Sequence, residues 1–113
     1  MESAKTLAPL APIPTAPTRT KAYFRNYARE HYGVNLQHFD LLATPTDNQV
    51  YAQGTCRLNP QATHYIEIDT HPEIMQWTLR DSETHEPITQ RNCADNPATF
   101  IPTACAALLE NAA

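Results

Sequence analysis

Glycine is scarce in this chain, which has only Gly33 and Gly54 among its 113 residues. The loops that cradle the phosphates of dinucleotides and nucleoside triphosphates need several glycines within a short span. Two isolated glycines cannot form such a loop. Enzymes that bind nucleotides through these common loops are therefore excluded.

Long hydrophobic runs and cysteine pairs are missing as well. No segment approaches the roughly 20 apolar residues that span a bilayer, and prolines interrupt every candidate core of a secretory signal. Cys56, Cys93 and Cys105 form no CxxC pair, and an odd number leaves one thiol unpaired under any bridging scheme. We therefore expect a cytoplasmic protein with buried, reduced thiols.

Proline, by contrast, is abundant and unevenly placed. Four of the ten prolines lie in the first 17 residues, where their fixed φ favours extended polyproline geometry. We predict an arm over residues 1–17 and one domain over residues 18–113. The arm contains two PxxP patterns, for which a mobile leader or self-packing is a plainer interpretation than SH3-type recognition.

The charges are also divided along the chain. Residues 1–29 carry five Lys or Arg and one acid, whereas residues 30–113 carry three Arg and eleven acids, giving a net charge of −4. This asymmetry indicates two kinds of surface on one molecule.

Periodicity predicts a helix over residues 20–32, with a cap at Thr18 or Thr20 and an end at Gly33. Alternation predicts strands over residues 36–42 and 49–58, with a turn at 43–48, and a central antiparallel pair within residues 63–79. In that pair, Met75, Trp77 and Leu79 share the buried face. Gly54 indicates a bulge or a close backbone approach.

Residues 80–89 predict a further hairpin with an acidic tip, in which Pro87 places the return strand at a sheet edge. Pro97 or Pro102 then begins a C-terminal helix with apolar residues at helical spacing. We therefore predict an α+β fold. It is an antiparallel sheet of four to five strands in hairpins, with the N- and C-terminal helices packed on one face.

The sequence indicates the function less clearly than the fold, because no catalytic motif stands out. The first hypothesis is a non-catalytic binding protein, such as an inhibitor or a phage- or plasmid-encoded antagonist of nucleic-acid machinery. It would dock on a basic surface of a protein partner through acidic hairpins. The contact residues would be Glu67, Asp69, Asp81, Glu83 and Glu86, with Tyr65 or Tyr51 as the aromatic anchor.

Two alternatives stay open. A nucleic-acid-binding protein would use Arg19, Lys21, Arg25 and Arg29, with Tyr23 as a stacking surface. A small enzyme would use His64 or His85 as general acid or base. We predict no cofactor. Asp69, His71 and His85 converge on a metal only if their hairpins are adjacent, and solvated histidines are the commoner case. A monomer and an edge-paired homodimer are both compatible with the sequence.

Overall fold

The structure is a computed structural model that describes residues 16–46, 49–71 and 74–110, without the side chains of residues 44–46, 49–50 and 71. All but the last two residues of the predicted arm lie outside this part of the chain, as do the first PxxP pattern and the first half of the second.

The described chain is an antiparallel meander between two helices. The helices are α1, Pro17–Tyr32, and α2, Phe100–Glu110, which follows a short 3₁₀ helix, Pro97–Thr99. The strands are β1, His38–Thr46; β2, Gln49–Arg57; β3, His64–His71; β4, Ile74–Asp81; and β5, Pro87–Asn92. They form one sheet in the order β1-β2-β3-β4-β5, and each pair of neighbours is antiparallel. The predicted α+β fold is confirmed.

Both helices pack on the same face of the sheet. α1 contacts β1 and β2, α2 contacts β3 and β4, and the helices contact each other. The core between these layers includes Phe24, Ile66 and Phe100, each with no exposed surface. Trp77 is 5% exposed, and its indole Nε1 donates to Thr103 Oγ1 at 2.8 Å. The predicted burial of the Trp77 face of β4 is confirmed.

The start of α1 differs from the prediction. The helix begins at Pro17, three residues before the expected Thr20, and Ala16 occupies the N-cap position without a side-chain cap. Proline fits the first helical position because its φ is preset and it lacks an N–H that would need a partner. Thr20 is buried inside the helix, where its hydroxyl donates to the Ala16 carbonyl at 2.8 Å. Neither Thr18 nor Thr20 caps the helix.

The end of α1 is as predicted. Gly33 adopts a left-handed φ of 65°, and its N–H donates to the Arg29 carbonyl at 3.2 Å. The N–H of Val34 donates to the Ala28 carbonyl, also at 3.2 Å. The first bond, from the left-handed glycine to the carbonyl four residues earlier, is that of the αL motif, and both bonds satisfy carbonyls at the end of the helix.

β1 runs four residues further than expected, because the predicted turn at 43–48 is largely strand. Its backbone stays paired with β2 as far as Thr46, and Pro45 lies opposite Val50. β1 is an edge strand, where a missing N–H is tolerated if it points away from the ladder. The proline therefore does not end the strand.

Gly54 marks a close approach of two strands. It pairs with Leu41 on one side and Ile68 on the other, and its φ is 150°. A Cβ at this position would overlap the backbone carbonyl of Asp40. The predicted close approach is confirmed, and only glycine fits here without displacing β1.

β5 forms the other edge of the sheet, and all six of its residues are exposed. Pro87 lies at its start, as expected for an edge strand. In the described part of the chain, no helix is long and apolar enough to cross a membrane.

Candidate binding surface on the open face of the sheet

The sheet face opposite the helices is here called the outer face, and no described helix covers it. Alternate residues of each strand lie on it. They include Asp40 and Leu42 of β1; Tyr51, Gln53, Thr55 and Arg57 of β2; Tyr65, Glu67 and Asp69 of β3; Gln76, Thr78 and Arg80 of β4; and Gln90 and Asn92 of β5. Most are polar, as expected for the solvent side of an antiparallel sheet.

A shallow concavity of about 300 Å³ lies near the middle of the outer face. The strand register places Gln53, Asp69 and Gln76 side by side across β2, β3 and β4, and all three line it. Gln53 Nε2 donates to Asp69 Oδ1 at 2.9 Å. The Asp69 carboxylate is therefore oriented by a neutral amide, which leaves its negative charge uncompensated by that partner.

Arg80 is the centre of a hydrogen-bonded network beside this concavity. Its Nε donates to Glu67 Oε1 at 2.9 Å, and its Nη1 donates to the His85 carbonyl at 2.8 Å. The Tyr65 hydroxyl lies 2.9 Å from His85 Nδ1, and the Arg57 guanidinium stacks over the Tyr65 ring at 5.1 Å. The network ties the tip of the next hairpin to the outer face.

The tip between β4 and β5 comprises residues 82–86. Asp81 Oδ1 accepts the backbone N–H groups of Thr84 at 2.9 Å and Glu83 at 2.7 Å. These two hydrogen bonds, of which the one from Thr84 has the larger effect, lower the pKa of Asp81 below its usual range. Its carboxylate shapes the turn, whereas the side chains of Glu83 and Glu86 are exposed at the tip.

The structure divides the predicted acidic surface accordingly. Glu67 is paired with Arg80, Asp81 is engaged in the turn, and the uncompensated acids are Asp69, Glu83 and Glu86. Both candidate anchors are buried: Tyr65 is 7% exposed and Tyr51 is 8% exposed. Neither ring projects from the outer face as a ready-made anchor.

Sequence reasoning missed the parts played by Arg57 and His85. Arg57 shares the alternation of Gln53 and Thr55 along β2, so strand parity already placed it on the outer face. His85 follows an irregular turn in which its φ is 64°, and no periodicity predicted its contact with Tyr65. His64 lies on the opposite face of β3. The described residues contain no group of three or more His, Cys, Asp or Glu side chains that could hold a metal ion.

The predicted basic residues lie on the other side of the molecule. Arg19, Arg25 and Arg29 of α1 are exposed, whereas Lys21 and Tyr23 are half-buried. Tyr23 packs against the core cluster and not away from it. Lys21 and Arg25 line a groove of about 240 Å³ together with Gln37 and Phe39. This groove lies between α1 and β1.

Comparisons with protein-family models, curated proteins and solved structures found no match to this chain.

Proposed function

We propose that this protein is a non-catalytic binding protein that docks a macromolecular partner against the outer face and the adjoining tip. The observation that supports the proposal is the open polar face, which carries a concavity and acids without a compensating cation. Because the side chains of this face are mostly polar, an antiparallel sheet can leave it in contact with water without exposing a large apolar surface. The face therefore offers a broad area for a polar interface.

The charges favour a partner with a basic surface. Arg80 compensates Glu67, but Asp69 is held by an amide, and Glu83 and Glu86 have no side-chain ion pair among the described residues. Lysines or arginines of a partner would form ion pairs with these three carboxylates. Electrostatic complementarity of this kind steers encounter and selects the partner.

The network around Arg80 adds pre-organisation. It fixes Glu67, Tyr65 and the tip backbone before any partner arrives. A surface that is already ordered loses less conformational entropy on binding, which favours affinity. An inhibitor or antagonist of a nucleic-acid-handling protein fits this description, because proteins that bind nucleic acid expose basic surfaces.

The test is affinity capture with the whole chain as bait, from cells that naturally produce it, with and without nuclease treatment. The acid-neutral variant combines Asp69→Asn, Glu83→Gln and Glu86→Gln. The control combines Glu30→Gln on α1 and Asp95→Asn after β5, which removes two exposed acids where the acid-neutral variant removes three. We expect the wild type and the control to retain one protein at stoichiometric level, both with and without nuclease. The acid-neutral variant should not retain it.

The purified partner then allows a kinetic measurement. Neutralising peripheral charges lowers the association rate and its salt dependence more than the dissociation rate. We expect the acid-neutral variant to associate about tenfold more slowly at low salt. Equal retention by the variant and the wild type, or retention that vanishes with nuclease, would refute docking through the outer face.

A further inference from the structure

The groove between α1 and β1 combines three features that are unrelated to the outer face. It is a recess of about 240 Å³, it is lined by two cations, and it contains an aromatic ring. Lys21 and Arg25 lie one helical turn apart, while Gln37 immediately precedes β1 and Phe39 is the second residue of that strand. Phe39 is half-buried, and its ring is tilted against Phe24 with 6.3 Å between centroids. The core therefore fixes the orientation of the ring.

The cations of this groove are not used by the fold. In the described part of the chain, neither Lys21 nor Arg25 has an ion pair or a side-chain hydrogen bond. Arg29, one turn further, donates to Asn26 on the same helix at 2.8 Å. Glu30 is the one acid of α1, and it lies about 140° around the helix from Arg25 at 100° per residue.

We propose that this groove binds single-stranded nucleic acid, with a base stacked on Phe39 and the phosphates contacted by Lys21, Arg25 and Arg29. Successive cations are separated by about 6 Å along the helix, from four residues at 1.5 Å each. This spacing suits the successive phosphates of an extended strand. A fixed aromatic ring beside a line of cations is the usual arrangement of single-strand binding surfaces.

The recess distinguishes a single strand from the other polyanions. A duplex keeps its bases stacked and presents only its backbone to a helix, so it makes no use of Phe39. An acidic peptide would pair with the cations but has no base for the ring. Gln37 adds an amide that can donate to or accept from the edge of a base. The outer face plays no part in this inference, so either proposal can fail alone.

The experiment measures fluorescence anisotropy of labelled twelve-residue oligo(dT) and oligo(dA), as single strands and as their duplex, over a salt series from 50 mM. The charge variant combines Lys21→Gln and Arg25→Gln. Phe39→Leu tests stacking, and Arg91→Gln is the control, since it removes an exposed cation of β5 at the far edge of the sheet. Thermal melts check that each variant is folded.

We expect the wild type to prefer single strands to the duplex. The charge variant should reduce the slope of log affinity against log salt by about 1.4, because each lost phosphate contact contributes about 0.7 for single strands. Phe39→Leu should weaken binding about tenfold with an unchanged slope. Arg91→Gln should change neither quantity.

Several results would overturn the proposal. They are no binding at 50 mM salt, an equal loss with Arg91→Gln, or a duplex bound as tightly as a single strand. Polyglutamate competing as well as the oligonucleotides would assign the groove to acidic protein instead. If Phe39→Leu fails to fold, photo-crosslinking of a 5-bromouracil oligonucleotide to the wild type replaces it. Crosslinks must then map to the peptide that contains Phe39.

Discussion

The two glycines of this chain allow one substitution to be compared at two positions with different surroundings. Gly33→Ala and Gly54→Ala both place a Cβ on a backbone with positive φ. Around Gly33, no atom lies within 4 Å of the new Cβ, whereas at Gly54 the Cβ overlaps the Asp40 carbonyl. The first variant therefore tests backbone strain alone, and the second tests strain plus a displaced strand.

The magnitudes follow from these surroundings. A left-handed conformation costs a non-glycine residue about 1–2 kcal/mol. Replacing glycine also lowers the conformational entropy of the unfolded chain, which offsets about 0.4–1 kcal/mol of that cost. Gly33→Ala should therefore cost about 1 kcal/mol. Gly54→Ala carries strain of about 1–3 kcal/mol and must also move the β1 backbone away from β2. We expect a total of at least about 3 kcal/mol.

Urea and thermal unfolding, followed by the fluorescence of Trp77, measure both costs. At about 4–8 °C of Tm per kcal/mol for a domain of this size, the Tm should fall by roughly 5 °C for Gly33→Ala and by more than about 12 °C for Gly54→Ala. Amide exchange should also rise in β1 of the second variant. Equal costs at the two glycines would refute the close approach of β1 to β2.

Two further predictions concern the core and the tip. Trp77→Ala should destabilise the fold by about 3–5 kcal/mol. Trp77→Phe should cost less, since most of the ring volume is kept and only the hydrogen bond to Thr103 is lost. An unchanged Tm for Trp77→Ala would show that Trp77 does not lie on the buried face of β4. Asp81→Asn should destabilise at pH 7, because the lowered pKa of Asp81 means that its folded form favours the carboxylate. That contribution is present above the usual aspartate pKa of about 3.9 and is lost as the pH falls through the lower folded value. The stability gap between Asp81→Asn and the wild type should thus close in acid, as measured by urea unfolding at several pH values, and a gap independent of pH would contradict the role of the carboxylate.

The strands were predictable where alternation was strict. β4 repeats apolar and polar residues around Trp77, and this pattern fixed both its type and its buried face. β1 was predicted less well, because the proline and threonines after Ala43 resemble a turn by composition. Pairing with β2 outweighs that local preference, and an edge strand tolerates Pro45. The start of α1 was misplaced for a related reason, since Pro17 is equally suited to end an extended segment or to begin a helix.

The candidate surfaces were predictable in part, because strand parity places side chains on a face but does not pair them. Parity put Glu67 and Asp69 on the outer face, but the bonds from Arg80 and Gln53 depend on the register between β2, β3 and β4. The role of Asp81 in the turn depends on the backbone path of the tip. Sequence alone therefore overstated the acidity of the surface, since it counted charges without their partners.

The opposite charges of the two proposed surfaces can coexist because the core separates them. Packed layers lie about 10 Å apart, and the Debye length at physiological ionic strength is about 8 Å. The cations of α1 and the acids of the outer face, on opposite sides of these layers, are therefore largely screened from one another. A net charge of −4 consequently does not prevent a local cationic groove from attracting phosphate. Since neither surface needs the other, neutralising Asp69 should leave nucleic-acid binding unchanged, and neutralising Arg25 should leave protein capture unchanged.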